Sequence, residues 1–311
     1  NNLIQIPEFS PANLGRLILK HKPETIIGPP TWFLNLVKDP VLKGADLSFV
    51  KMITYGGDSM EPEDEIRINE FLKSHNCKAK LTKGHGMSET CGCASYATGD
   101  YNILGSMGIP MPNSIYTIVN PETKEPIKFK DTDEYIEGEL AISSPIITPG
   151  TIDGKEIVTK TIIDGKEYLL TKDIARMNRD GVMFFLTRSD RAFMRFDGFK
   201  VKPYEIENLI KNDTRIKYCI VTPYYSEENN GQMIKASIVM EDGIELSVAE
   251  QKDFVEELIE KYFINNPVVS SRQIPTKFSF KQNMPLTANS KVDYNQLIKE
   301  GLNGEEITVI I

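Results

Sequence analysis

The densest run of chemistry-bearing residues is Gly84-His85-Gly86-Met87-Ser88-Glu89-Thr90, directly after a predicted strand. Glycines let the backbone approach a ligand closely, and a hydroxyl beside a carboxylate suits a phosphate oxygen and its Mg²⁺. The same residues also suit an ordinary βα turn in which Ser88 or Thr90 caps the next helix. Tyr55-Gly56-Gly57-Asp58 offers a second glycine turn at a strand end. Asp173, in Tyr168-Leu-Leu-Thr-Lys-Asp173, sits after a strand, where a carboxylate accepts two sugar hydroxyls or simply stands in a solvated turn. Arg188-Ser189-Asp190-Arg191 reads as a charged linker or hinge. Lys291 lies on a polar turn, Pro285-Leu-Thr-Ala-Asn-Ser-Lys291-Val-Asp293.

The elements that must position these residues change character along the chain. Up to about residue 104, helix-like and strand-like signals alternate. They comprise a helix over Pro11–Lys22, strands at Thr25–Gly28, Val50–Tyr55 and Lys78–Leu81, and a Pro-started helix from Glu61 to about His75. This strand–glycine–helix rhythm reads as part of an open α/β sheet, with ligand groups at the carboxyl ends of strands. Residues 105–188 switch to short strands, among them Ile115–Val119, Gly138–Ser143, Ile157–Ile163, Glu167–Leu170 and Met183–Leu186. Asp153-Gly154, Asp164-Gly165 and Asp180-Gly181 are the turns between them, which predicts a small antiparallel barrel or sandwich. Residues 189–311 predict a compact α+β unit. It has helices at Pro203–Lys211 and Ser247–Tyr262, strands at Tyr218–Pro223, Ile234–Met240 and Phe278–Phe280, and a short terminal helix.

Composition narrows the function. The 311 residues are 40% hydrophobic and carry a net charge of −8, the balance of a globular chain of two or three domains rather than a basic nucleic-acid binder. No stretch approaches the roughly 18 apolar residues of a membrane span. No secretory signal opens the chain, and Cys77, Cys91, Cys93 and Cys219 are too scattered for a disulfide framework or a zinc site. Reduced thiols point to a cytoplasmic location.

Taken together, the segments resemble the adenylate-forming (AMP-binding) superfamily of acyl-CoA synthetases, peptide-synthetase adenylation domains and luciferases, over essentially the whole chain. Gly84–Thr90 is similar to its G-Y-G-x-T/S-E-T segment. Tyr168–Asp173 is similar to Y-x-T-G-D, with Lys172 where glycine is usual. Arg188–Glu207 resembles the hinge and glycine loop opening the C-terminal domain, and Pro285–Asp293 the P-x-T-x-x-G-K-V-D segment, with Ser290 in place of its glycine. The implied architecture is α/β and α+β: the last part of a large N-terminal α/β domain (1–104), a small antiparallel β-barrel subdomain (105–188) and a compact C-terminal α+β domain (189–311).

The resemblance also implies roles. Glu89 would ligate Mg²⁺, Thr90 would bond the α-phosphate, and Asp173 would hold the ribose hydroxyls. Gly56, Gly57, His85 and Gly86 would line the nucleotide and acyl cavities, with His85 replacing the usual aromatic residue. Arg188 would reach the nucleotide, though Arg191 competes for that role. Asp190 would be the hinge, Gly198-Phe199-Lys200 the loop approaching a thiol, and Lys291 the catalytic lysine. Ser95, Tyr96, Cys91 and Cys93 would face the acyl pocket, with helix packing the alternative for the cysteines. The implied reaction is ATP-dependent formation of an acyl-adenylate from a small carboxylic acid, then transfer to coenzyme A. A carrier-protein phosphopantetheine acceptor, or a non-catalytic nucleotide-binding module, are the alternatives. Residues 1–55 hold no counterpart of the family's phosphate-binding Ser/Thr/Gly loop, so the expectation is the back half of a ligase, inactive alone.

Overall fold

The computed structural model describes residues 13–150, 159–287, 291–300 and 306–309. The chain divides into two compact units, Asn1–Thr187 and Arg188–Ile311.

The first unit begins with α1 (Leu14–His21), β1 (Thr25–Gly28), α2 (Pro30–Lys38), β2 (Met52–Gly56), α3 (Pro62–Ser74), β3 (Leu81–Met87), β4 (Gly92–Ala97) and β5 (Ile109–Pro110). Proline opens both α2 and α3, where a missing N–H is harmless. Glu63, Asp64 and Glu65 in the first turn of α3 and Lys73 in its last complement the helix dipole. The strands form one sheet in the order β1-β2-β3-β4-β5; β1, β2 and β3 are parallel, β4 and β5 antiparallel. Ile53, Tyr55 and Leu81 bury one face against Phe33, Leu36, Ile68 and Leu72 of the helices. On the other face Thr54, Thr82 and the Tyr96 hydroxyl form a closed triangle of 2.7, 2.8 and 2.9 Å contacts.

The same unit continues with β6 (Ile115–Val119), β7 (Tyr135–Ser143), β8 (Thr159–Ile163), β9 (Lys166–Asn178) and β10 (Met183–Arg188). They build a second sheet in the order β10-β9-β7-β6, with β8 on β9; the β6–β7, β7–β9 and β8–β9 pairs are antiparallel. Asp164 and Gly165 both have positive φ (48° and 73°), the conformation of the expected hairpin turn. The Asp153-Gly154 turn lies outside the described residues. Ile118, Leu140, Ile142 and Met183 form the core of this sheet, joined by Ala94 and Met107 from around the first.

The second unit contains β11 (Phe193–Met194), β12 (Lys200–Val201), α4 (Pro203–Lys211), β13 (Ile216–Ser226), β14 (Gly231–Met240), α5 (Val248–Ile259), β15 (Lys277–Phe280), α6 (Tyr294–Lys299) and β16 (Ile307–Thr308). Its sheet runs β13-β14-β15-β16, with β14 and β15 parallel and the outer pairs antiparallel. Ile206 and Ile210 of α4 and Val255 and Leu258 of α5 pack on Val221, Ile234, Ile238 and Phe278. A reciprocal Ser247–Glu250 capping box starts α5, and a π-helical turn, Glu260–Ile264, finishes it. No helix among the described residues is long and apolar enough to cross a membrane.

Candidate active site

The two glycine segments of the first unit lie side by side. Gly56 pairs with Gly84 across the parallel β2–β3 ladder, and a Cβ on Gly56 would stand 2.9 Å from the Gly84 carbonyl. Gly57 follows at φ 86°, in the left-handed region that favours glycine. The Gly84–Thr90 segment is not a βα turn. β3 runs on through Met87 and folds back onto β4, because Gly86 lets the returning backbone come so near that a Cβ would sit 1.9 Å from the Gly92 carbonyl. Read without that partner strand, three residues of glycine and histidine look like a turn.

Ser88–Thr90 form a one-turn 3-10 helix at the hairpin tip. The Thr90 hydroxyl, fully buried, accepts the Met87 N–H (3.2 Å) and lies 3.0 and 2.9 Å from the Met87 and Gly92 carbonyls. The Glu89 side chain is half-exposed at the tip, while its carbonyl accepts the Thr148 N–H at 2.8 Å. Cys91 and Cys93 are both exposed on the hairpin, which corrects the helix-packing alternative: no helix follows the turn. Ser95 is fully buried and donates to the Met107 carbonyl at 2.8 Å, and Tyr96 is held in the threonine triangle.

Asp173 does not follow a strand but lies within one, the 13-residue β9. The ladder to β7 pairs Glu139 with Ile174 and next pairs Ala141 with Leu170, so Thr171, Lys172 and Asp173 stand opposite Leu140 alone. Such a bulge re-aims side chains. Lys172, at the usual glycine position, takes φ 62°. The bulge brings the buried Asp173 Oδ2 to 3.0 Å from His85 Nε2. A carboxylate accepts, so Nε2–H donates; the other ring nitrogen, Nδ1, is buried with no hydrogen-bond partner among the described residues. The structure thus joins His85 and Asp173, which are 88 residues apart in sequence.

Behind the Gly56–Gly84 pair is a buried ionic network that the sequence reading missed. Lys83 Nζ lies 2.5 Å from Glu65 Oε2, both side chains 3% exposed. Glu65 Oε1 accepts the Tyr55 hydroxyl (2.8 Å) and the Gly105 N–H (3.2 Å). Burial pushes the Lys83 ammonium below its ordinary pKa and the Tyr55 phenol far above its own. Glu139 was missed as well; the available signal was an acid next to the apolar run Leu140–Ile142 of its strand.

The second unit holds the other expected residues. Arg188, partly exposed, pairs with the exposed Asp190 at 3.0 Å. Arg191 instead turns inward: its guanidinium grips both carboxylate oxygens of Glu207, stands 3.4 Å from the Val221 carbonyl and lies 4.3 Å from the centroid of the Tyr294 ring. Gly198 (φ 77°) turns the loop between β11 and β12, and Asp197 accepts the Phe199 N–H at 3.3 Å. Lys200 begins β12. Lys291 is exposed, and its backbone closes a small hairpin: Thr287 N–H donates to the Lys291 carbonyl (2.7 Å) and Asp293 N–H to that of Pro285 (2.8 Å). Ser290 lies outside the described residues.

Residues 3–151 match the family model described as AMP-binding enzyme. The chain is 25% identical over 307 residues to the long-chain-fatty-acid–CoA ligase of Bacillus subtilis, covering 98% of this chain and 50% of that protein. It is 30% identical over 262 residues to 4-coumarate:CoA ligase 1 of Petunia hybrida, covering 81% and 45%. The fold resembles that of ATP-bound MatB from Rhodopseudomonas palustris, with TM-score 0.72 and 18% identity over 95% of this chain and 54% of that one. The chain spans about half the length of the curated relatives it matches. With the glycine hairpin and the Asp173 bulge beside them, these matches make the chain similar to AMP-binding, adenylate-forming enzymes along most of its length.

Proposed function

We propose that the full-length protein is an ATP-dependent acid–thiol ligase. A substrate carboxylate oxygen attacks the α-phosphorus of ATP, the bond from that phosphorus to the bridging oxygen breaks, and pyrophosphate leaves. The sulfur of coenzyme A then attacks the acyl carbon, its proton is lost, and AMP departs. The observation that carries this reading is similarity to a CoA ligase along 98% of the chain, with the motif residues in family order.

Asp173 accepts the ribose hydroxyls, and His85 beside it offers a ring face to the base in place of a larger aromatic. Gly56, Gly57 and Gly86 keep side chains out of the ligand's path. Thr90 bonds the α-phosphate by sharing the hydroxyl that now holds the hairpin tip. Among the described residues no three acidic, histidine or cysteine side chains gather as a metal cage. Mg²⁺ usually keeps one or two carboxylates and takes its other ligands from phosphates and water, which suits the lone, half-exposed Glu89. Bound there, the ion would neutralise phosphate charge. Lys291 would offset charge as oxygen attacks phosphorus.

With Arg191 committed to Glu207 and Tyr294, we assign nucleotide contact to Arg188. Asp190, three residues after Thr187, where the first unit ends, is the hinge, and Gly198–Lys200 the thiol-facing loop. The four free cysteines suit a reducing cytoplasm. Mass spectrometry of the full-length protein with ATP, Mg²⁺ and a panel of carboxylic acids tests the reading. An acyl-adenylate, converted to a thioester on adding coenzyme A, is expected; adenylate formation with no acid in a broad panel would overturn it.

A further inference from the structure

Glu139, which lies outside the motif segments quoted above, takes the N–H of the residue before Asp173. We propose that Glu139 is a positioning residue: braced by Lys124, it holds the β9 bulge in the shape that brings Asp173 to His85. The functional consequence rests on reading Asp173 as a nucleotide-binding residue; the geometry stands apart from it.

Glu139 is 2% exposed, and an ionised carboxylate is costly to bury unless its oxygens are satisfied. One oxygen accepts the Lys172 N–H at 3.0 Å, and the other accepts Lys124 Nζ at 2.6 Å. The first bond replaces a ladder bond, because in the bulge Lys172 shares Leu140 with two other residues and has no registered partner on β7. It also holds Lys172 at φ 62°, a conformation residues with a Cβ disfavour. Thr171 completes the lock: its hydroxyl donates to the Leu140 carbonyl (2.8 Å) and accepts the Asp173 N–H (3.0 Å). Lys124 is itself fixed, with its N–H on the Asn120 carbonyl and its Nζ 2.6 Å from that of Pro121. The backbone N–H groups of Lys172 and Asp173 and the Thr171 hydroxyl are therefore tied, directly or through Thr171, to Glu139 or Leu140.

The chain has three histidines, so ¹⁵N resonances of the His85 ring are readily resolved and report the Asp173 bond directly. In Glu139→Met the His85 Nε2 resonance is expected to move to the position it takes in Asp173→Ala. Glu139→Gln, which keeps an acceptor for Lys172, should retain the wild-type position. Ile118→Ala, a core substitution in the same sheet, controls for lost stability and should leave His85 unmoved. If Glu139→Met does not fold, Lys124→Met should shift the resonance in the same direction. A wild-type His85 resonance in Glu139→Met, or an equal shift in Ile118→Ala, overturns the proposal. AMP affinity of the full-length protein should fall at least ten-fold in Glu139→Met. If the resonance moves but wild-type protein does not bind AMP, the positioning role stands and the nucleotide role of Asp173 falls.

Discussion

Arg191 and Tyr294, 103 residues apart in sequence, are stacked, the guanidinium 4.3 Å from the ring centroid while it grips Glu207 on α4. The contact ties the turn that opens the second unit to the helix that begins three residues after Lys291. Removing Arg191 leaves Glu207 buried and without its cation, a defect that costs roughly 3–5 kcal/mol. Arg191→Ala is expected to lower the denaturant midpoint of the second unit accordingly. Arg191→Lys should restore only part of it, since lysine lacks the planar fork. Wild-type stability in Arg191→Ala would show that this contact is not a clamp.

Lys172 sits at φ 62° with its side chain exposed. Relief of left-handed strain should outweigh the extra chain entropy of glycine, so Lys172→Gly is expected to stabilise the first unit by about 0.5–1 kcal/mol. A chemical denaturation series checks it, and a loss of stability would mean that the lysine side chain contributes more than its exposure indicates.

The Lys83–Glu65 pair is buried on both sides. Glu65→Gln alone strands a lysine and should cost about 3 kcal/mol or more. Adding Lys83→Met should recover over half of that, because the amide oxygen introduced by Glu65→Gln remains an acceptor for Tyr55 and Gly105. Additive losses in the double-mutant cycle would show that the two groups act independently.

Asp213 accepts both the Nε–H and an Nη–H of Arg215 at 2.8 Å, which holds its carboxyl below the ordinary 3.8. A lowered folded-state pKa contributes stability that is present above the unfolded value and lost as pH falls through the folded one. The melting temperature of the second unit should therefore drop between about pH 5 and pH 3. In Asp213→Asn the drop should be shallower; an unchanged slope would rule out this source.

Much of the scaffold is readable in the amino-acid order. β6 and α4 have the boundaries that alternation and a proline start give them, and α3 falls within a residue of its sequence limits. What escapes is whatever depends on a distant partner. β3 runs on through Met87 where Gly92 lies against Gly86, and in the 171–173 bulge the Lys172 N–H is taken by Glu139, over thirty residues upstream. His85, Asp173 and Lys291 could be named from local motifs. The Glu65–Lys83 pair could not, since helix and strand periodicity say nothing of which charges meet across them.

In the proposed full-length ligase, Lys291 acts at the reacting centre of adenylation. Carboxylate-dependent exchange of labelled pyrophosphate into ATP by the full-length protein is the decisive assay of that role. Wild-type protein is expected to exchange only when its acid is present, and Lys291→Ala to lose at least a hundred-fold in rate while still binding ATP. Exchange at the wild-type rate in Lys291→Ala would exclude this role for the lysine.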